Sequence, residues 1–128
     1  MENEELIEKA KSVAKENRLN KLCTSGEVGA ALVTDKGNTY IGNSLGCACG
    51  MGWCGERSAI ASMISHGESR IKTIVAVGTD GTPLAPCGIC REMMMQINIE
   101  NKDTDVILSG KTVKLSGLLP EFWFNENK

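Results

Sequence analysis

Apolar residues near the start of the chain recur every three or four positions, whereas further along they gather in short uninterrupted runs. Between residues 4 and 17 the helical spacing, set among good helix formers, predicts an amphipathic helix whose apolar face carries Leu6, Ile7, Ala10, Val13 and Ala14. Residues 18–27 contain polar side chains and Gly26, and we expect them to form a connector.

Short apolar runs predict the strands of a sheet. Residues 28–34 and 39–42 flank a turn-forming stretch at 35–38, which indicates a β-hairpin. A β-branched run at 73–77 is typical of a central strand buried on both faces, and 105–109 and 111–115 predict two more strands.

Two further helices are expected between these strands. One runs over 56–66 with Gly67 as its C-terminal cap, and the other runs over 87–97 and is opened by Pro86. The pattern predicts a single layered α/β domain over residues 1–128, in which a mixed sheet of about five strands carries helices on its faces.

Composition excludes several classes of function. The chain has 128 residues, of which 41% are hydrophobic and 23% charged, and its formal net charge is -2. Without a cluster of basic side chains we expect no nucleic-acid partner, and without an apolar run of about twenty residues we expect no membrane span. The acidic first residues differ from a signal peptide, so a cytoplasmic location is predicted.

Three of the six cysteines have a spacing that suits a metal. Cys54, Cys87 and Cys90 lie at the predicted starts of the two later helices and can fill three corners of a zinc tetrahedron, leaving the fourth for water. Glu56, two residues after the first thiol, is the natural proton carrier for such a water. A catalytic zinc is therefore the favoured interpretation.

Two other interpretations of these thiols remain. A closed structural zinc site would take Cys47 or Cys49 as its fourth ligand, and a redox dithiol would use Cys87 and Cys90. Neither gives Glu56 a purpose. No role is predicted for Cys47, Cys49 or the remaining thiol, Cys23.

The motifs around the three thiols resemble those of the cytidine deaminase superfamily, in the small zinc-dependent form that includes cytidine deaminase and blasticidin S deaminase. The family's Cys-Ala-Glu-Arg stands here as Cys-Gly-Glu-Arg at 54–57, and its Pro-Cys-x-x-Cys-Arg stands at 86–91. The likeness extends from about residue 28 to residue 122. It implies a cytidine deaminase-like three-layer α/β/α fold, one Zn²⁺ per chain and a homotetramer that acts on a small-molecule nucleoside.

The resemblance also implies residue roles. Cys54, Cys87 and Cys90 would hold the zinc, and Glu56 would carry a proton from the attacking water to N3 of a cytosine-type ring, which gives a uracil-type ring and ammonia. Arg57 and Arg91 would donate hydrogen bonds to the ligand sulfurs. The backbone of Gly55 and of Ala85 would contact the amine and the ring.

The predicted substrate pocket departs from the family pattern. Gly26 stands where the family has an aromatic residue, and the family's Asn-x-Glu is replaced by residues 42–46, where Asn43 or Ser44 takes the Asn position and no glutamate follows. The missing carboxylate removes a charge-assisted contact worth about 1.5–3 kcal/mol. The expected substrate is cytidine or deoxycytidine, with blasticidin S or another modified cytosine nucleoside as the alternative.

Aromatic residues near the end of the chain have two interpretations. Phe122, Trp123 and Phe124 occupy the region from which family members send aromatic rings over the base. They would otherwise close the core or a subunit interface.

Overall fold

A mixed sheet of seven strands organises the computed structural model, which describes residues 1–124. The strands are β1 Asn17–Arg18, β2 Cys23–Thr34, β3 Thr39–Cys47, β4 Ile71–Gly78, β5 Pro83–Leu84, β6 Asp105–Leu108 and β7 Lys111–Lys114. The helices are α1 Asn3–Val13, α2 Gly55–Ser65, α3 Gly88–Ile97 and the one-turn α4 Leu115–Leu118, with 3₁₀ turns at Ala48–Gly50 and Ile99–Asp103. Two of these seven strands, β1 and β5, have only two residues each. The five longer strands confirm the predicted sheet of about five.

The strand order is β1-β2-β4-β6-β7, with β3 paired to β2 and β5 paired to β4. Only the β4–β6 pair is parallel among the strands of residues 1–124, because α3 crosses over between them. The predicted hairpin is confirmed: β2 and β3 pair antiparallel across the turn at 35–38, and Val33 lies opposite Thr39.

Alternation along the strands divides the apolar side chains between two faces. One face packs against α1, in a cluster formed by Leu6, Ala10, Ala14, Ala31, Val33, Val75, Val77 and Ile107. The other packs against α2, α3 and α4, in a cluster that includes Ala30, Leu32, Ala59, Ile60, Met63, Ile74, Ala76, Met94, Val106 and Leu115. The predicted three-layer arrangement is therefore confirmed, and so is the burial of β4 on both faces.

Several boundaries differ from those predicted. The first helix ends at Val13 instead of reaching residue 17, because the chain turns to pair Asn17 with Ser25 of β2. The strand β2 begins at Cys23, within the predicted connector, and β3 extends to Cys47, within the predicted loop. Backbone pairing between these two strands overrides their loop-like composition.

The boundaries of α2 and α3 agree with the prediction to within one residue, and Gly67 follows α2 with a φ of 84°. The strands β1 and β5 were not predicted because each has only two residues, too few for a hydrophobic pattern. None of the helices within residues 1–124 has the length and apolar character needed to cross a membrane. Residues 125–128 of the predicted domain lie outside the described part.

Candidate active site

Two helix N-termini meet beside the sheet. Cys54 is the N-cap residue of α2, Cys87 is the N-cap residue of α3, and Cys90 lies in the first turn of α3. The sulfurs of Cys54 and Cys90 are 2.8 Å apart. Helix N-termini favour negative charge because their backbone N–H groups are unpaired and the helix dipole is positive there.

The position of α2 depends on a close approach to β3. A Cβ atom added to Gly42 would lie 2.4 Å from Oγ of Ser58 and 2.5 Å from the backbone nitrogen of Ala59. A larger residue in β3 would therefore push the first turns of α2 away from the sheet. Glycine at this position allows Cys54 to reach Cys90.

The sulfur of Cys54 is set up to be a thiolate. A hydrogen bond from Cys90 and another from Nε of Arg57, at 3.3 Å, lower the pKa of Cys54 to about 5, against an opposing effect of partial burial. The same hydrogen bond and burial raise the pKa of Cys90. At neutral pH without metal, the pair of sulfurs therefore carries one proton, and Cys90 holds it.

Glu56 is buried beside this pair, with only 6% of its surface exposed. Burial raises the pKa of its carboxyl group to about 7, and the charge of Cys54 acts in the same direction. The backbone N–H of Glu56 and the charge of Arg57 oppose the rise. One carboxylate oxygen and the sulfurs of Cys54 and Cys90 lie within 4.8 Å of one another.

Cys87, the third predicted zinc ligand, lies outside this close group. Its side chain is exposed, although its charge is near enough to contribute to the raised pKa values of Cys90 and Arg57. Its position at the N-cap of α3 keeps it one turn from Cys90. The structure therefore gathers two predicted ligands and the predicted proton carrier, and the ligand role of Cys87 stays a prediction.

Arg91 does not lie where the prediction placed it. Its Nε donates to the carbonyl of Pro86 at 2.8 Å, and a terminal nitrogen donates to the carbonyl of Leu118 at 3.0 Å. Among the hydrogen bonds of residues 1–124, Arg91 makes none to sulfur, in contrast to Arg57. These two hydrogen bonds connect the start of α3 to α4.

The side chains predicted to bind substrate are used within the fold. Nδ2 of Asn43 donates to the carbonyl of Val13 at 3.3 Å, and Oγ of Ser44 accepts a hydrogen bond from the backbone of Val28 at 2.9 Å. Each group keeps some capacity for a ligand, because the hydroxyl of Ser44 can still donate and Oδ1 of Asn43 can still accept. Of the two backbone contacts predicted for the ring, Gly55 is buried at the start of α2 and Ala85 is exposed before Pro86.

The absence of the family's aromatic residue at position 26 has a physical reason. Gly26 is buried with a φ of 82°, and a Cβ atom there would lie 1.9 Å from the carbonyl oxygen of Lys15. Both the backbone conformation and the close approach of Lys15 therefore require glycine. No aromatic side chain fits at this position without a different path for residues 14–18.

The aromatic end of the described chain lies against α3. Phe122 packs on the core, while Trp123 is 70% exposed and donates from Nε1 to Glu92 at 2.8 Å. A cavity of about 380 Å³ lies between these aromatic residues and the end of α3, lined in part by Met95, Gln96 and Phe124. In this chain, the rings cover α3 and do not line the Cys54–Cys90 site.

The residues of the site fit a zinc ion. Thiolate sulfur is a ligand that zinc prefers, and a buried pair of sulfurs with one already deprotonated presents such donors. Arg57 adds a positive charge that offsets the excess negative charge of several thiolates. The close group of Cys54, Glu56 and Cys90 is consistent with one ion per chain.

A comparison with protein families assigns the chain. The family model of the cytidine and deoxycytidylate deaminase zinc-binding region matches residues 1–103. The cytidine deaminase of Halalkalibacterium halodurans is 31% identical over 100 residues, which cover 73% of this chain and 74% of that protein. The cytidine deaminase of Sporosarcina psychrophila is 36% identical over 70 residues, so the matched segment spans about half of that relative, 52%. The chain therefore belongs to the cytidine and deoxycytidylate deaminase family.

Solved structures support the fold. The cytidine deaminase of Burkholderia pseudomallei is 29% identical, with a TM-score of 0.77 and coverage of 96% of this chain and 100% of that one. The cytidine deaminase of Mycobacterium tuberculosis has a TM-score of 0.82 at 21% identity, with coverage of 98% and 99%. The cytidine deaminase-like α/β/α fold expected from the sequence is confirmed.

Sequence reasoning missed one feature close to this site. Cys23 and Cys47 lie opposite each other on β2 and β3 with their sulfurs 3.0 Å apart. The predicted hairpin did not extend far enough to bring these residues together. Continued in its own register, the hairpin would pair Cys23 with Cys49, but a bulge between Ser25 and Gly29 shifts the partner by two residues to Cys47.

Proposed function

We propose that this chain is a zinc-dependent hydrolase that converts a free cytosine nucleoside, cytidine or deoxycytidine, into the uracil nucleoside and ammonia. The observation that carries the proposal is the buried carboxyl group of Glu56, which has an oxygen within 4.8 Å of the sulfurs of Cys54 and Cys90 where two helix N-termini meet. A closed structural zinc site has no use for such a group.

Cys54, Cys87 and Cys90 are the proposed zinc ligands. Zinc held by thiolates supplies Lewis-acid activation of a water molecule, which makes a nucleophile available at neutral pH. Cys54 is already deprotonated through Cys90 and Arg57, so it presents a thiolate for the ion. Arg57 draws electron density from the sulfur and thereby limits the charge that three thiolates place on the metal.

Glu56 is the proposed general base and general acid. Burial raises the pKa of its carboxyl group, which favours a group that can accept a proton and return it. It would take a proton from the attacking water, pass it to N3 of the ring, and assist the departure of the amine. It lies in the first turn of α2, two residues after the proposed ligand Cys54.

Modified cytosine nucleosides, with blasticidin S as the test case, are the second candidate substrates. Gly46, at the end of β3, has no side chain with which to hold ribose hydroxyls, and Asn43 and Ser44 are engaged with the backbone of Val13 and Val28. Without a carboxylate at this point, the region offers fewer polar groups to a plain ribose, which favours a substrate recognised through other groups.

A homotetramer is the proposed assembly. A largely apolar cavity of about 500 Å³ lies on the outer side of α2, lined in part by Trp53, Ile64 and Met93. Trp53 and Ile64 are each nearly half exposed, at 46% and 47%. Burying this surface against other copies would be favourable. Light scattering of the purified protein should give four times the mass of the chain.

The remaining expectations follow from the sequence alone. A cytoplasmic location is proposed, and the even mixture of charges predicts a small-molecule substrate without a nucleic-acid partner. Both stay predictions, as does the single domain over residues 1–128.

The test is an assay of the zinc-loaded protein with cytidine, deoxycytidine, cytosine and blasticidin S. Ammonia release and the change in ultraviolet absorbance report turnover, and Glu56→Gln is the matched control because it removes the acid while keeping size and shape. Turnover in the wild-type protein and silence in the control support the proposal. Silence with all four compounds in the wild-type protein would favour a non-catalytic zinc-binding module.

A further inference from the structure

A second pair of thiols lies on the sheet, apart from the predicted zinc ligands. Cys23 is the first residue of β2 and Cys47 the last residue of β3, and they are direct cross-strand neighbours. Their sulfurs are 3.0 Å apart, and both side chains are half-buried. Neighbouring side chains on paired strands point to the same face, so this proximity follows from the ladder itself.

The backbone identifies the type of strand pair. The N–H of Cys23 donates to Oδ1 of Asn20 and its carbonyl accepts from Leu19, so neither group bonds to Cys47. The next pair along the ladder is hydrogen-bonded, because Ala48 donates to the carbonyl of Leu22 at 3.2 Å. Cys23 and Cys47 therefore form a non-hydrogen-bonded pair, in which the Cα atoms are typically about 4.5 Å apart.

This separation lies at the short end of the range found for disulfides, about 4.4–6.8 Å. A bond between the two sulfurs therefore needs little movement of the strands. Because the side chain of Cys47 lines a cavity open to solvent, the bridge would also be accessible to a reductant. Such geometry suits a reversible disulfide and not a permanent structural one.

Small reagents have access to Cys47. One cavity of about 400 Å³ is lined in part by Cys47 together with the basic residues Arg18 and Lys21. A second, of about 350 Å³, is lined in part by Cys47 and also by Cys54. Glu27 also lines the first cavity, so its three charged side chains leave a net positive lining, which favours an anionic reagent such as a tripeptide disulfide that carries several carboxylates.

We propose that Cys23 and Cys47 are a redox modification site that forms a reversible disulfide by exchange with a small anionic disulfide of the glutathione class. Cys47 first loses its proton to solvent, and the resulting thiolate attacks one sulfur of the reagent, which releases one reagent thiol and leaves a mixed disulfide on Cys47. The thiolate of Cys23 then attacks the sulfur of Cys47 and releases the second reagent thiol. The two cysteines lose two electrons and two protons, and the reagent gains both.

The bridge would act on the segment that leads to the zinc site. Cys47 is the N-cap of the turn Ala48–Gly50. After this turn the chain returns to β3, where Trp53 pairs through its backbone with Leu45, one residue before Cys54. A disulfide at the base of this loop fixes both strands where the loop begins. The oxidised protein should therefore melt at a higher temperature than the reduced protein.

The test uses the zinc-loaded full chain incubated with oxidised glutathione, followed by intact mass and peptide mapping. We expect the loss of two hydrogen atoms, a cross-linked pair of peptides that contain Cys23 and Cys47, and reversal by reduced glutathione. Cys23→Ser and Cys47→Ser should not form the bridge. Cys49→Ser is the matched control, because this exposed thiol is near Cys47 in sequence yet lies outside the strand pair, and it should form the bridge as the wild-type protein does.

Three results would overturn the proposal. The first is that the wild-type protein forms no cross-link. The second is that the reaction stops at a stable glutathione adduct on Cys47, and the third is that the cross-link joins Cys47 to Cys49. Mapping is performed on the wild-type chain, so the conclusion does not depend on whether a variant folds.

Discussion

The chain holds two pairs of close sulfurs, and their surroundings give them different chemistry. Cys54 and Cys90 are 2.8 Å apart where two helices begin, and Cys23 and Cys47 are 3.0 Å apart across two strands. The first pair has Arg57 on one sulfur and the carboxyl group of Glu56 nearby. Among residues 1–124, no carboxylate or histidine joins the second pair in a comparable group.

The comparison shows that distance between sulfurs does not decide what they do. A hydrogen bond from Cys90 and the hydrogen bonds and charge of Arg57 lower the pKa of Cys54, which favours a thiolate that can bind metal. The hydrogen bond with Cys23 and burial raise the pKa of Cys47, which keeps it a thiol. The cysteine pair at the helix starts, with Arg57 beside it, suits zinc. The cysteine pair across the strands, without an arginine on either sulfur among the described residues, suits a disulfide.

The largest expected effect separates the two pairs by zinc content. Cys90→Ser should lose most of its zinc and all measurable turnover, because it removes a ligand from the site. Cys47→Ser is the matched change in the strand pair and should keep one zinc per chain. Metal analysis after dialysis measures both variants, and equal zinc loss in the two would erase the distinction.

Glu56→Gln should separate metal binding from chemistry within the first pair. We expect one zinc per chain and a fall in kcat of at least about 10²–10⁴-fold, because the amide cannot accept and return a proton. Zinc analysis and single-turnover kinetics measure the two effects. Loss of zinc in this variant would mean that Glu56 is a ligand and not the proton carrier.

Arg57→Ala should weaken the zinc site without destroying it. Removing the hydrogen bond to Cys54 should lower zinc affinity about 10–100-fold, since partners of metal ligands typically have effects of this size. Competition with a chromophoric chelator gives the affinity. Arg18→Ala is the matched control, because Arg18 donates only to backbone carbonyls of Asn20 and Lys21 among the described residues. An equal loss in both variants would contradict the role of Arg57.

The smallest effect is a difference in thiol reactivity with pH, measured in zinc-free protein. The thiolate is the reactive form, so Cys54, with its pKa lowered to about 5, should be alkylated by iodoacetamide already near pH ~6. Cys47, with its pKa raised, should react only at a higher pH than an ordinary thiol. Peptide mapping after brief labelling gives both rates, and similar pH profiles would remove the proposed contrast.

Much of the fold could be predicted because its signals are local. The apolar run at residues 30–33 and the β-branched run in β4 define strands whatever surrounds them. The extension of β3 to Cys47 could not be predicted, because glycine-rich residues are held there only by pairing with β2. The bulge after Ser25, which decides the partner of Cys23, has no local sequence signal other than glycine.

The candidate site was predictable in part for similar reasons. Cys54, Glu56 and Cys90 lie at helix starts that local patterns define, and the structure brings them together. The positions of Arg91 and Asn43 depend on which backbone carbonyl lies within reach, and only the tertiary structure determines that. The likeness to a family could not show that Lys15 leaves room only for glycine at position 26.

The coordination of zinc tests the central claim most directly. X-ray absorption spectroscopy of the zinc-loaded protein should give three sulfur neighbours at about 2.3 Å and one lighter atom, and Cys87→Ser should reduce the sulfur count to two. The spectrum of Glu56→Gln should match that of the wild-type protein. Two sulfurs in the wild-type protein, with a lighter neighbour that changes in Glu56→Gln, would contradict the account by placing Glu56 on the metal and Cys87 off it.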